Sequence, residues 1–164
     1  MDATFRPLTP DDEPLLWRAL YHAVWVPPGA APARPDVVRR PDLARYVAGW
    51  MRRPGDAGLA ADVGGAAVGA GWLRRWTPDE HGYGFVDAAT PELSMALFPG
   101  HRGRGVGTAL LDRMLTAAGD APVSLSVSLE NPARRLYERA GFRPVGEPAG
   151  GAVVMVRRPA PPAR

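Results

Sequence analysis

The sequence has no cysteine, no lysine, no isoleucine and no glutamine, and Asn131 is its one asparagine. Without cysteine, a disulfide scaffold, a thiolate zinc site, an iron–sulfur cluster and a cysteine nucleophile are excluded together. Without lysine, the phosphate-loop pattern that places Lys before Ser or Thr is excluded as well. No apolar run approaches the ~20 residues of a membrane-spanning helix, and no basic-then-apolar segment opens the chain. The expectation is a cytoplasmic protein with no membrane partner. His22, His81 and His101 are far apart and lack HExxH spacing, so no metal is expected.

What is present suits one domain. The 164 residues are 46% hydrophobic and 23% charged, enough to bury about 70% of the surface an unfolded chain exposes. All 20 basic residues are arginine, and the formal net charge is only +3. They are scattered in ones and twos, and with 19 Gly and 19 Pro they read as the drift of a GC-rich genome. A solvated basic surface, with no nucleic-acid partner, is the expectation.

Apolar periodicity alternates between strand and helix. Strands are predicted at Thr4 to Leu8, Glu92 to Phe98, Val123 to Ser128, Phe142 to Val145 and Val153 to Val156. Gly64-Gly65 predicts a hairpin of Ala57 to Val63 with Ala66 to Arg74, and a short strand is expected near Tyr83 to Val86. Helices are predicted after Thr9-Pro10, over Pro41 to Met51 with Leu43, Val47 and Trp50 on one face, over Gly105 to Ala118, and over Pro132 to Ala140. The result is one mixed α/β domain over residues 1–157, with a Pro/Ala-rich tail over 158–164 that is expected to be disordered.

Two segments carry chemistry. Arg102-Gly103-Arg104-Gly105-Val106-Gly107 joins a strand to a helix start, where glycines admit a ligand and unpaired N–H groups favour phosphate. Gly where Thr108 stands would be needed for the dinucleotide pattern, which is therefore excluded. Asn131 to Phe142 reads as a capped helix: Asn131 as cap, Pro132 in the first turn, Gly141 past the end. Its apolar stripe holds Leu136 and Tyr137, with Arg134 and Glu138 paired outside it. Ser124, Ser126 and Ser128 alternate on one strand without nucleophile-elbow glycines, and read as a polar strand face.

Together these segments resemble the GNAT superfamily of acetyl-CoA-dependent N-acetyltransferases. Arg102, Gly105 and Gly107 match the family's phosphate-binding pattern, while Asn131, Leu136-Tyr137 and Gly141-Phe142 match its later segment. Arg134 stands where the family commonly has alanine. The resemblance covers about residues 91–156 and implies a mostly antiparallel central sheet with helices on both faces.

It also implies roles. Backbone groups of Leu97 and Phe98 would hold the pantetheine arm of acetyl-CoA, the acyl donor. Residues Arg102, Gly103, Arg104, Gly105, Val106 and Gly107, with Thr108, would hold its pyrophosphate. Asn131 would contact the pantetheine end, and Arg134 or Arg135 the outer phosphate. Tyr137 would be the general acid. Glu92, seven residues before Pro99, would be the general base, directly or through a water. An N–H near Leu97 would meet the oxyanion, and no metal would be needed. The implied reaction is acetyl transfer to a primary amine, either a small molecule or a peptide N-terminus. A longer acyl-CoA and a non-catalytic acyl-CoA sensor are the alternatives, and a homodimer is compatible with the resemblance. The arginine-free segment 77–92, with Asp79, Glu80, Asp87 and Glu92, leads to an expected preference for basic amines.

Overall fold

Seven strands in a computed structural model, described for residues 2–161 and 163–164, make one sheet ordered β1-β2-β3-β4-β5-β7-β6. They are β1 (Ala3–Pro7), β2 (Ala57–Val63), β3 (Ala66–Arg74), β4 (Glu92–Leu97), β5 (Val123–Ser128), β6 (Arg143–Ala149) and β7 (Ala152–Arg157). Every neighbouring pair is antiparallel except β4 with β5. The helices are α1 (Glu13–Ala23), α2 (Pro41–Ala44), α3 (Val106–Ala118) and α4 (Ala133–Arg139). Residues 158–161 and 163–164 carry neither helix nor strand.

Strand alternation divides the core into two layers. Trp72, Ala96 and Phe98 face one way, onto Leu16, Ala19 and Leu20 of α1 and onto Tyr46, Val47 and Trp50. Leu73, Leu93 and Leu97 face the other way, onto Leu110, Leu111 and Met114 of α3, with Leu136 and Tyr137 of α4 at the margin. Helices therefore cover both faces. The chain turns where the sequence predicts the first helix to open, but α1 itself starts at Glu13: Asp12 N–H donates to Thr9 O at 3.0 Å and closes a one-turn 3-10 segment, Pro10–Asp12, while Thr9 N–H donates to the Asp12 carboxylate at 2.7 Å.

Two sequence expectations are corrected. The helix expected over Pro41 to Met51 lasts one turn, and residues 45–51 are consecutive turns. The cause is a competition for carbonyls. Arg74 donates to Arg45 O at 2.7 Å and Ala48 O at 2.8 Å, and the Trp72 indole donates to Tyr46 O at 2.9 Å. Those carbonyls are aimed at the sheet instead of up a helix axis. The strand expected at Tyr83 to Val86 is absent as well, because this loop turns inward and spends the Gly84 N–H on Glu92.

Candidate active site

The parallel pair β4 and β5 sets the site. Their ladder consists of a single register pair, Glu92 with Ser124, with Ser124 N–H donating to Pro91 O at 3.0 Å. Beyond it the strands separate. On its other side β4 stays paired with β3 as far as Leu97, and Phe98 N–H donates to Val68 O at 2.8 Å. Alternation along an antiparallel ladder then turns the polar backbone groups of Met95 and Leu97 into the gap. Of the two residues expected to bind pantetheine, Leu97 faces that gap, whereas the N–H of Phe98 is committed to β3.

At the open end lies the glycine segment. Gly103 and Gly105 have φ of 73° and 81°, left-handed values that favour glycine. A Cβ on either would meet nothing within 4 Å, so the segment is open on its outer side. The first intrahelical bond of α3 runs from Ala109 N to Gly105 O, which leaves the N–H groups of Val106, Gly107 and Thr108 directed out of the helix start. Arg102 and Arg104 are exposed beside them, and Arg102 Nε reaches back 3.2 Å to Leu97 O. One cationic side chain thus ties the glycine segment to the gap in the sheet. Arg102 also faces His22 on α1, which burial first, then Arg102 and Arg18, hold below its ordinary pKa.

α4 forms the opposite wall. Asn131 Oδ1 accepts the Ala133 N–H at 2.9 Å, the cap expected from sequence. Arg134 Nε lies 3.2 Å from Glu138, and Arg135 is exposed. A Cβ on Gly107 would stand 3.5 Å from Leu97 and 3.9 Å from Leu136, so α3, β4 and α4 converge at this point. Tyr137 packs edge-on against Phe142 with ring centres 5.9 Å apart. Burial pushes its hydroxyl up to about 12, which keeps it protonated at neutral pH.

Glu92 sits at the root of the gap and is 3% exposed. Three donors surround its carboxylate: the Tyr46 hydroxyl at 2.6 Å, the Trp76 indole N–H at 3.0 Å and the Gly84 N–H at 3.0 Å. Burial outweighs these bonds, and its pKa is raised to about 7. A buried carboxyl poised near neutrality can take and return a proton. Sequence reasoning missed Tyr46. The signal was available, since Tyr46 extends the stripe of Leu43, Val47 and Trp50, and a core tyrosine needs a partner for its hydroxyl.

The acidic segment is less free than its composition suggests. Glu80 pairs with Arg53 at 2.6 Å, Asp87 accepts the Ala89 N–H at 2.9 Å, and Glu92 is enclosed.

Over residues 17–142 the chain matches the family described as Acetyltransferase (GNAT) family. It is similar to the mycothiol acetyltransferase of Beutenbergia cavernae, 42% identical over 89 residues. That stretch is 51% of this chain and 27% of the relative, so the match spans about a quarter of that protein's length. Among solved structures it resembles one described as histone acetyltransferase HPA2 and related acetyltransferase from Corynebacterium glutamicum. The TM-score is 0.69 at 25% identity, covering 100% of both chains. The yncA protein of Salmonella typhimurium, solved with its cofactor acetyl-CoA, shares the fold at TM-score 0.65 and 22% identity, covering 100% of both chains.

Proposed function

The chain belongs to the acetyltransferase (GNAT) family, and from that premise we propose that it moves an acetyl group from acetyl-CoA to a primary amine by direct attack. The observation that carries the proposal is the sheet gap: β4 and β5 part immediately above a buried Glu92, and the start of α3 stands at the far end. The residues present fit the donor. Leu97 and Met95 offer backbone groups to an extended amide-bearing arm, and Val106, Gly107 and Thr108 offer N–H groups to phosphate, with Arg102 and Arg104 adding charge. When bound, acetyl-CoA supplies a thioester carbonyl that an amine can attack.

The rest is the work of this chain. Most alkyl amines are protonated at pH 7, and Glu92 takes a proton from the acceptor so that nitrogen presents a lone pair. The Leu97 N–H faces the developing negative oxygen. Tyr137 holds the proton that the departing sulfur takes, and its raised pKa keeps that proton in place until then. Glu92 and Tyr137 favour catalysis over a sensor of acyl-CoA. The test is thiol release from acetyl-CoA against a panel of alkyl amines, aminoglycosides and peptides with free N-termini. Release that depends on an amine and falls by at least about tenfold in Glu92→Gln and Tyr137→Phe, as losing a general acid or base predicts, supports the reading. Binding of acetyl-CoA without release for any amine supports the sensor, and release only from a longer acyl-CoA supports that alternative.

A further inference from the structure

The three donors around Glu92 are divided unequally between its oxygens. Oε1 accepts both the Trp76 indole N–H and the Gly84 N–H, each at 3.0 Å. Oε2 accepts the Tyr46 hydroxyl alone, at 2.6 Å. An ionised carboxylate offers about four lone-pair positions, two on each oxygen. Oε1 is therefore full, and Oε2 retains one.

The Tyr46 proton is held in that direction. Its oxygen accepts the Tyr83 N–H at 2.7 Å, and its ring stands edge-on to Trp76 with centres 5.4 Å apart. Burial, then the charge and hydrogen bond of Glu92, push the Tyr46 hydroxyl well above its ordinary range, so it acts as donor. Two further side chains share this face as register partners. Arg74 on β3 is engaged by Asp56 at 2.9 Å and by two backbone carbonyls, and Ser124 on β5 is neutral and buried.

We infer that Tyr46 is a positioning residue: its hydroxyl, locked by the Tyr83 N–H, occupies one side of Glu92 Oε2 and leaves the remaining lone pair of that oxygen as the carboxylate's one unoccupied proton-accepting position. The inference rests on Glu92 being the base, and it names the atom that works and the group that aims it. In the step, an acceptor N–H bond breaks, an Oε2–H bond forms, and the electron pair stays on nitrogen. The segment of residues 77–90 is drawn into the same arrangement, because the Tyr83 N–H holds Tyr46 while the Tyr83 hydroxyl bonds Asp42.

The experiment follows the titration of Glu92 in the full chain by carboxyl carbon NMR, the resonance being assigned by its loss in Glu92→Gln. Tyr46→Phe removes the donor that favours the charged form, and the midpoint should rise by about one pH unit or more, tenfold in proton affinity. Tyr46→3,5-difluorotyrosine keeps the ring in place and strengthens the donor, so the midpoint should fall. This second variant also decides the matter if Tyr46→Phe does not fold. Displacements in opposite directions are the expected result, and midpoints that stay put or move the same way overturn the role of Tyr46. Failure of the base reading looks different. Glu92→Gln would then keep wild-type thiol release in the amine panel while the Tyr46 variants still move the midpoint, which overturns Oε2 as the working atom.

Discussion

Gly84 lies directly against Glu92: its N–H donates to Oε1 at 3.0 Å, and a Cβ added to it would stand 2.7 Å from the Glu92 carboxyl carbon. The same Cβ would be 2.8 Å from Leu125 C and 2.9 Å from Ser126 N, both backbone atoms that cannot swing aside. The residue closes the root of the gap because it has no side chain. Gly84→Ala should therefore cost about 1–3 kcal/mol, the usual penalty for overpacking. It should also lift the loop, let water reach Glu92 and move that carboxyl down toward the ordinary range. Urea denaturation checks the first effect and the pH dependence of turnover the second. Wild-type behaviour in both would mean that the loop does not seal Glu92.

Glu92 makes stability depend on pH in a defined window. The native carboxyl holds its proton to about pH 7, whereas the ordinary value for a glutamate is 4.5. The native state binds more protons between those values, so the stabilisation is complete below the lower one and is lost as pH rises through the upper. The loss is roughly 3 kcal/mol. Glu92→Gln removes this titration. His22, whose pKa is lowered, acts with the opposite sign below pH 6.5, so the difference between wild type and Glu92→Gln is the quantity to measure. Denaturation from pH 4.5 to 8 should show wild type losing stability relative to the variant, and a flat difference curve would mean that Glu92 is charged throughout. Turnover should rise through the same window, since a base must be ionised to act.

Local signals made much of the fold legible. Gly64-Gly65 marked the β2–β3 hairpin with its observed limits, and Asn131 and Gly141 bracketed α4. Tyr137 and the glycine segment were legible too, because they lie in contiguous motifs. What stayed hidden depends on contacts distant in sequence. Nothing near residue 45 announces that Arg74 will take the carbonyls of Arg45 and Ala48 and shorten α2. Nothing in the loop after β3 announces that Gly84 will bond a strand residue eight positions on. The three donors to Glu92 come from two segments, the turns after α2 and the β3–β4 loop, and only the folded chain brings them together.

Tyr137→Phe separates a chemical role from a packing one. The ring contact with Phe142 is kept, and burial alone accounts for the raised hydroxyl pKa, with no hydrogen-bond partner contributing. Stability should therefore change by less than about 0.5 kcal/mol. Turnover should fall by roughly ten- to a thousandfold, with acetyl-CoA affinity nearly unchanged. Full turnover in this variant, measured by thiol release, would leave Tyr137 as a packing residue.

Gly107 reports on the donor site, and its two substitutions should part company. A Cβ there meets Leu97 at 3.5 Å and Leu136 at 3.9 Å, ordinary contacts, so Gly107→Ala should fold and bind. An indole at the same position has to pass between Leu97 and Leu136, at the point where the gap meets the start of α3. A ligand that binds only the native state raises the melting temperature, by about 2.7 kcal/mol of stability at a hundredfold excess over Kd. CoA and acetyl-CoA should therefore raise the melting temperature of wild type and of Gly107→Ala, and leave Gly107→Trp unmoved. Circular dichroism confirms that the tryptophan variant is folded before its result is read. A full shift in folded Gly107→Trp would place CoA away from the glycine segment and would sever the sheet gap from the proposed reaction.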